Sequence, residues 1–118
     1  MRFPIRSMAI MKPHPGKRPD LIAFLREFYT MMCTKQYSRD LLLQDLKHPD
    51  DLVHIRYWLS DEARDAAMND PDVHHYWKDL GAFGNITTIY EELEPIFSTR
   101  EGIPGDDIIQ AATKSDSA

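Results

Sequence analysis

The sequence predicts an α+β fold in which helices cover one face of a four-stranded antiparallel sheet. Three observations carry this. Two apolar extended segments, Arg39 to Leu46 and Asp51 to Leu59, flank the proline-containing turn KHPDD and read as a β-hairpin. A long amphipathic helix precedes the hairpin, and a capped pair of short helices follows it. Further strand-like segments open and close the run.

Ser7 to Lys12 (SMAIMK) is short, apolar and bounded by prolines, which suits a buried strand. Pro13 to Pro19 (PHPGKRP) is a loop, because its prolines remove backbone donors and helical freedom. Pro19 then falls in the first turn of a helix, with Asp20 favourable against the helix dipole. Leu21, Phe24, Leu25, Phe28 and Met32 lie on one helical stripe, widened by Ile22, Tyr29 and Met31.

In the second hairpin strand, Val53, Ile55, Tyr57 and Leu59 alternate with Leu52, His54, Arg56 and Trp58. Neither face resembles a solvent face, so the sheet is expected to be covered on both sides. Ser60, Asp61 and Glu62 form a helix start, a hydroxyl cap followed by two carboxylates in the positive first turn. Asn69-Asp70-Pro71 breaks that helix and starts another, whose stripe is Val73, Tyr76, Trp77 and Leu80. Gly81 is the expected terminator. A last strand is expected from Ile86 to about Leu93. The order strand, helix, strand, strand, helix pair, strand is the split βαβ arrangement of a ferredoxin-like sandwich. Its apolar second face calls for a partner sheet, most simply from a homodimer.

Residues 1–97 are read as one domain, and 98–118 as a polar tail able to dock on the partner subunit. The chain has 118 residues, 42% hydrophobic and 28% charged, an ordinary globular composition. Its net charge is −5, and no cationic run exceeds Lys17-Arg18, which argues against nucleic acid. No apolar run approaches the ~20 residues of a membrane span. No secretory signal pattern is evident, so a cytoplasmic location is expected. The single cysteine, Cys33, allows no internal disulfide and is expected to be a small, partly buried, inert side chain.

The loop and helix KPHPGKRPDLIAFLREF, and above all LLLQDLKHPDDLVHIRYWLSDEARDAAMNDPDVHHYWKDL, resemble the antibiotic biosynthesis monooxygenase-like proteins. The matching features are a strand ending in Trp58, then Ser60, Asp61, Glu62 and Ala63, a short helix, a break and a second helix. The resemblance covers roughly residues 7 to 95. It implies two ferredoxin-like subunits joined by their open sheet faces into an α+β barrel, with a pocket between sheet and helices in each. It also implies a range of activities: cofactor-independent oxygenation of quinols and polycyclic phenols, haem degradation and isomerisation. Haem-degrading members carry an Asn on the first strand, a Trp on the first short helix and an axial His on the second. Here the first strand has no Asn, and the Trp and His positions fall on Ala67 and Trp77. His74 or His75 could become a ligand only after a shift. No cofactor and no metal are therefore expected.

His54, Arg56 and Trp58 share one strand face. As a pocket wall, His54 would accept a proton from a phenol, Arg56 would stabilise the phenolate, and Trp58 would offer a flat surface to a ring. The alternative, favoured by composition, places this face at the dimer interface. His74 lies at the margin of its helical stripe and is a second candidate base, whereas His75 points nearly opposite, within reach of Asp79. Tyr57, Tyr76, Trp77, Phe24 and Phe28 are further pocket candidates, and such an aromatic cluster is equally the composition of a core. Two functions are expected: a cofactor-independent monooxygenase acting on an aromatic or quinol-type molecule, or a non-catalytic dimer that binds a small apolar ligand or serves in stress.

Overall fold

The computed structural model describes residues 5–97 and residue 99. The elements are β1 (Arg6–Pro13), α1 (Arg18–Thr34), β2 (Ser38–Gln44), β3 (Leu52–Trp58), α2 (Asp61–Met68), α3 (Pro71–Leu80) and β4 (Gly84–Leu93). The strands form one antiparallel sheet in the order β2-β3-β1-β4, the ferredoxin-like topology. The expected tail, including its segment DDIIQAATK, lies outside the described residues. Among the described residues, no helix is long and apolar enough to cross a membrane.

Local chemistry sets the element ends. Ser60 Oγ accepts from the Ala63 amide at 2.9 Å, and the Asp70 carboxylate accepts from the Asp72 amide at 2.9 Å, so both short helices carry the caps their sequences promise. Gly81 ends α3 with φ −60°, an ordinary right-handed value, and the chain turns on through Phe83 N–H to the Leu80 carbonyl. β4 begins at Gly84, two residues earlier than expected, where it pairs with Pro13. A Cβ there would lie 2.8 Å from the Lys12 carbonyl oxygen, so only glycine lets the two strands meet.

All three helices lie on one face of the sheet. Leu21, Leu25, Phe28 and Met32 of α1 are buried against it, and Val73 and Leu80 of α3 join them. Cys33 follows Met32 and is swung to the outer face of α1, where it is exposed, correcting the expectation of partial burial. The strand register decides which residues the helices cover. Ser7, Ala9 and Met11 of β1 oppose Arg56, His54 and Leu52, while Asp40 and Leu42 of β2 oppose Arg56 and His54 from the other side. The His54, Arg56 and Trp58 face is therefore the covered one, and its expected place at a dimer interface is not found. Arg56 and Trp58 are drawn there because the helices supply the rings, and β2 the carboxylate, that they need.

The opposite face carries Arg6, Met8 and Ile10 of β1, Val53, Ile55 and Tyr57 of β3, and Leu41 and Leu43 of β2. No helix among the described residues packs on it. Tyr90 and Leu93, which continue this face on β4, are exposed, as are Ile96 and Phe97 just beyond the strand.

Candidate functional site

A cavity of about 320 Å³ lies between the sheet and the two short helices. β1 supplies its floor through Ser7, Met8 and Ala9; β3 contributes His54, Arg56 and Trp58; α2 and α3 close it with Ala67, Met68, Val73 and Trp77. Alternation along β3 aims His54 and Arg56 the same way, two residues apart, and the close-packing Ala67 leaves room above them. Ile86, Ile89 and Glu91 of β4 complete the wall.

Beneath the cavity lies a polar cluster. Asp40 Oδ1 is 2.6 Å from Arg56 Nε and 2.9 Å from His54 Nε2, and its side chain has no exposure. Burial alone would raise the Asp40 carboxyl. The Arg56 charge and the His54 hydrogen bond outweigh that, and it ends below its ordinary value. An ionised carboxylate only accepts hydrogen bonds, so His54 donates through Nε2–H. Burial lowers the His54 pKa below its ordinary 6.5 against the opposing bond to Asp40, and the neighbouring Arg56 charge lowers it further. His54 is thus neutral, with Nδ1 left carrying a lone pair. Tyr29 stacks on the imidazole at 4.5 Å, and its buried hydroxyl has no partner. Burial, then the Asp40 charge, pushes that phenol up.

Arg56 is caged by rings. Its guanidinium carbon lies 5.0 Å from the centre of Phe28, 5.4 Å from Trp58 and 5.9 Å from Trp77. Trp58 is fixed in turn, its Nε1 donating to Ser7 Oγ at 2.9 Å while that hydroxyl donates to the Glu91 carbonyl at 2.7 Å. Like the Tyr29 hydroxyl, Arg56 Nη2 is buried without a partner. Leaving such a donor unmatched costs about 1–3 kcal/mol.

The structure gathers His54, Arg56, Trp58 and Trp77 at the cavity and sends the other sequence candidates elsewhere. His74 is exposed and bonds through Nε2 to the Met68 carbonyl at 2.5 Å, because its position at the stripe margin rotates it out of the cavity. His75 is exposed and pairs with Asp79 at 3.1 Å. Tyr57 lies on the opposite sheet face under the Arg6 guanidinium, 5.0 Å from its ring centre, and so cannot join the helix aromatics. Phe28 is core, stacked on Tyr76 at 4.9 Å and edge-on to Trp77. Phe24 and Tyr76 border an open groove between α1 and α3, where the Tyr76 hydroxyl bonds to Glu27.

Asp40, Ser7 and Tyr29 were not anticipated. The signal for Asp40 was present: an arginine on a covered strand face requires a carboxylate, and Asp40 is the only acidic residue of β2. Among the described residues, no group of three His, Cys, Asp or Glu side chains is placed to hold a metal ion.

No family model matches the chain. No curated protein matches it. Solved structures do. A candidate antibiotic biosynthesis monooxygenase from Chloroflexus aurantiacus is 24% identical, aligning over 80% of this chain and 94% of its own, with a TM-score of 0.63. SnoaB, a cofactor-independent oxygenase from Streptomyces nogalater, is 14% identical over 80% of this chain and 97% of its own, also at 0.63. A conserved protein of unknown function from Bacteroides thetaiotaomicron is 12% identical over 80% of this chain and all of its own, at 0.68. Likeness at these identities is likeness of fold, and the chain has the ferredoxin-like α+β fold of the antibiotic biosynthesis monooxygenase-like proteins.

Proposed function

We propose that the protein is a cofactor-independent monooxygenase-like enzyme acting on a small aromatic or quinol-type molecule held in the cavity above Asp40. The observation that carries this reading is one apolar cavity lined by both His54 and Arg56, two side chains bonded to the same buried Asp40 oxygen. A ring hydroxyl placed there would lose its proton to His54. Asp40 would stabilise the resulting imidazolium and Arg56 the aryl oxide. An aryl oxide is a far better electron donor to dioxygen than the parent phenol. The substrate itself would supply the electrons that reduce the second oxygen atom to water. Trp58 and Trp77 would bracket the ring.

The cavity speaks against a purely structural role, which would favour a filled interior. Haem does not fit: Ala67 and Trp77 stand where the resemblance would put the Trp and the axial His, and His74 and His75 are exposed. The uncovered apolar sheet face supports a homodimer joined through it.

Oxygen uptake with a panel of hydroquinones and naphthols tests the proposal. Activity should fall at least about a hundredfold in His54→Gln, the scale of a lost general base, and persist in His74→Ala. Equal activity in both variants would remove His54 from the reaction.

A further inference from the structure

The two short helices that close the cavity are held down very differently. α3 is anchored at its start by charge. The Asp70 carboxylate accepts from Lys35 Nζ and from the Tyr37 hydroxyl, each at 2.7 Å, and Lys35 also reaches Asp72 at 2.7 Å. Along its length Val73 and Leu80 are buried, and Tyr76 stacks on Phe28. α2 buries a single side chain, Ala67. Its ends are tethered, Leu59 N–H to the Tyr37 carbonyl ahead of it and the Met68 carbonyl to the His74 ring behind it. Between those ends little apolar burial holds it, which is the condition for local opening.

The mouth of the cavity lies beside α2. Of the lining residues, Met68 of α2 and Ile89 and Glu91 of β4 are exposed, while the rest are buried or half-buried. Ile89 pairs with Ala9 on the sheet face that the helices cover, yet it is 47% exposed, so the cover stops short of this part of β4. A salt bridge spans the same two elements: Arg64 Nη2 lies 2.9 Å from Glu92 Oε1, one helical turn before Met68. It is readily broken. Glu92 stands mostly in water, so pairing gains it little over hydration. Arg64 Nε is meanwhile buried without a partner, a donor that opening would return to water.

We propose that α2 is a gate over the cavity. It rolls away from β4 between its tethered ends and is latched shut by the Arg64–Glu92 salt bridge, while α3 stays fixed as the frame. The gate controls entry of whatever molecule the cavity takes, so it rests on the cavity and not on the oxygenase reading.

Trp58 and Trp77, the two tryptophans of the chain, both line the cavity. Quenching of tryptophan fluorescence by acrylamide, a small neutral probe, therefore reports access to it. Amide hydrogen exchange resolved by residue reports the opening of each helix. Both are measured on the full-length protein and on Glu92→Gln, which removes the latch charge from an exposed side chain and leaves the core untouched. Exchange of the α2 amides should quicken about two- to fivefold, the scale of an exposed ion pair, while α3 keeps its rates and quenching rises. Unchanged α2 exchange would refute the latch. Acceleration of α2 and α3 together would mean general loosening and refute a separate gate. A faster α2 with unchanged quenching would mean that the helix frays without opening the cavity, which overturns the gate as well. The expected changes in a protein that takes up no oxygen would sink the enzyme and leave the gate standing.

Discussion

Arg56 Nε donates to Asp40 Oδ1 across 2.6 Å, with both side chains closed off from solvent. A buried ion pair of this kind is poor evidence of net stabilisation, yet breaking it from one side strands a charge. Asp40→Asn should therefore destabilise the fold by about 3–5 kcal/mol. The double change Asp40→Leu with Arg56→Met should cost less than Asp40→Asn alone. Urea unfolding of the three proteins checks this, and an Asp40→Asn midpoint equal to wild type would show that the pair is not formed.

The same cluster sets a pH dependence. Burial lowers the folded pKa of His54 below 6.5. Above 6.5 the imidazole is neutral in both states and contributes nothing. As pH falls below 6.5, the unfolded chain takes up a proton that the folded chain resists, so the unfolded state gains and stability declines. Asp40, also lowered, adds a second loss below its ordinary 3.8, where the unfolded carboxyl protonates first. His54→Gln should flatten the decline between pH 6.5 and 5. Urea midpoints across that range give the answer, and parallel curves for the two proteins would contradict a buried neutral histidine.

Much of the fold was legible because it rests on local signals. The stripe of α1, the caps at Ser60 and Asp70 and the hairpin turn are each complete within a few residues. The site was half legible. Alternation put His54, Arg56 and Trp58 on one face, but alternation cannot say which face the helices cover. Asp40 acts only through the β2–β3 register, a long-range fact, and so it was missed. His74 and Tyr57 were drawn in because neighbours along the chain look like neighbours in space, and a helix margin and a strand's reverse face both break that rule. Cys33 shows the same limit: one step around the helix from buried Met32 is already solvent.

The end of α1 offers a stabilising change. Gln36 adopts φ 64°, and Tyr37 N–H bonds back to the Met32 carbonyl while Gln36 N–H bonds to Cys33, a Schellman ending without its usual glycine. A side chain in the left-handed region costs about 1 kcal/mol. Gln36→Gly should raise the melting temperature by a few degrees, roughly what about 1 kcal/mol gives a domain of this size. Calorimetry reads it directly, and a lower melting temperature would mean that the glutamine side chain contributes more than its backbone costs.

The apolar reverse face of the sheet makes the last prediction. Met8, Ile10, Val53, Ile55 and Leu41 lie on it together, and no described helix covers them. A small domain gains most by hiding such a surface against a second copy, which joins sheet to sheet and removes the apolar faces of both. Ile55 sits in the middle of this face, opposite Met8 on one neighbouring strand and Leu41 on the other. A glutamate there would stay hydrated in a monomer and be stranded in a dimer, where an unpaired buried charge costs several kcal/mol. Light scattering at micromolar concentration should find the wild type dimeric and Ile55→Glu monomeric, with circular dichroism showing that the variant keeps its secondary structure. A wild-type monomer would refute the dimer outright, and a dimeric Ile55→Glu would move the interface to another surface.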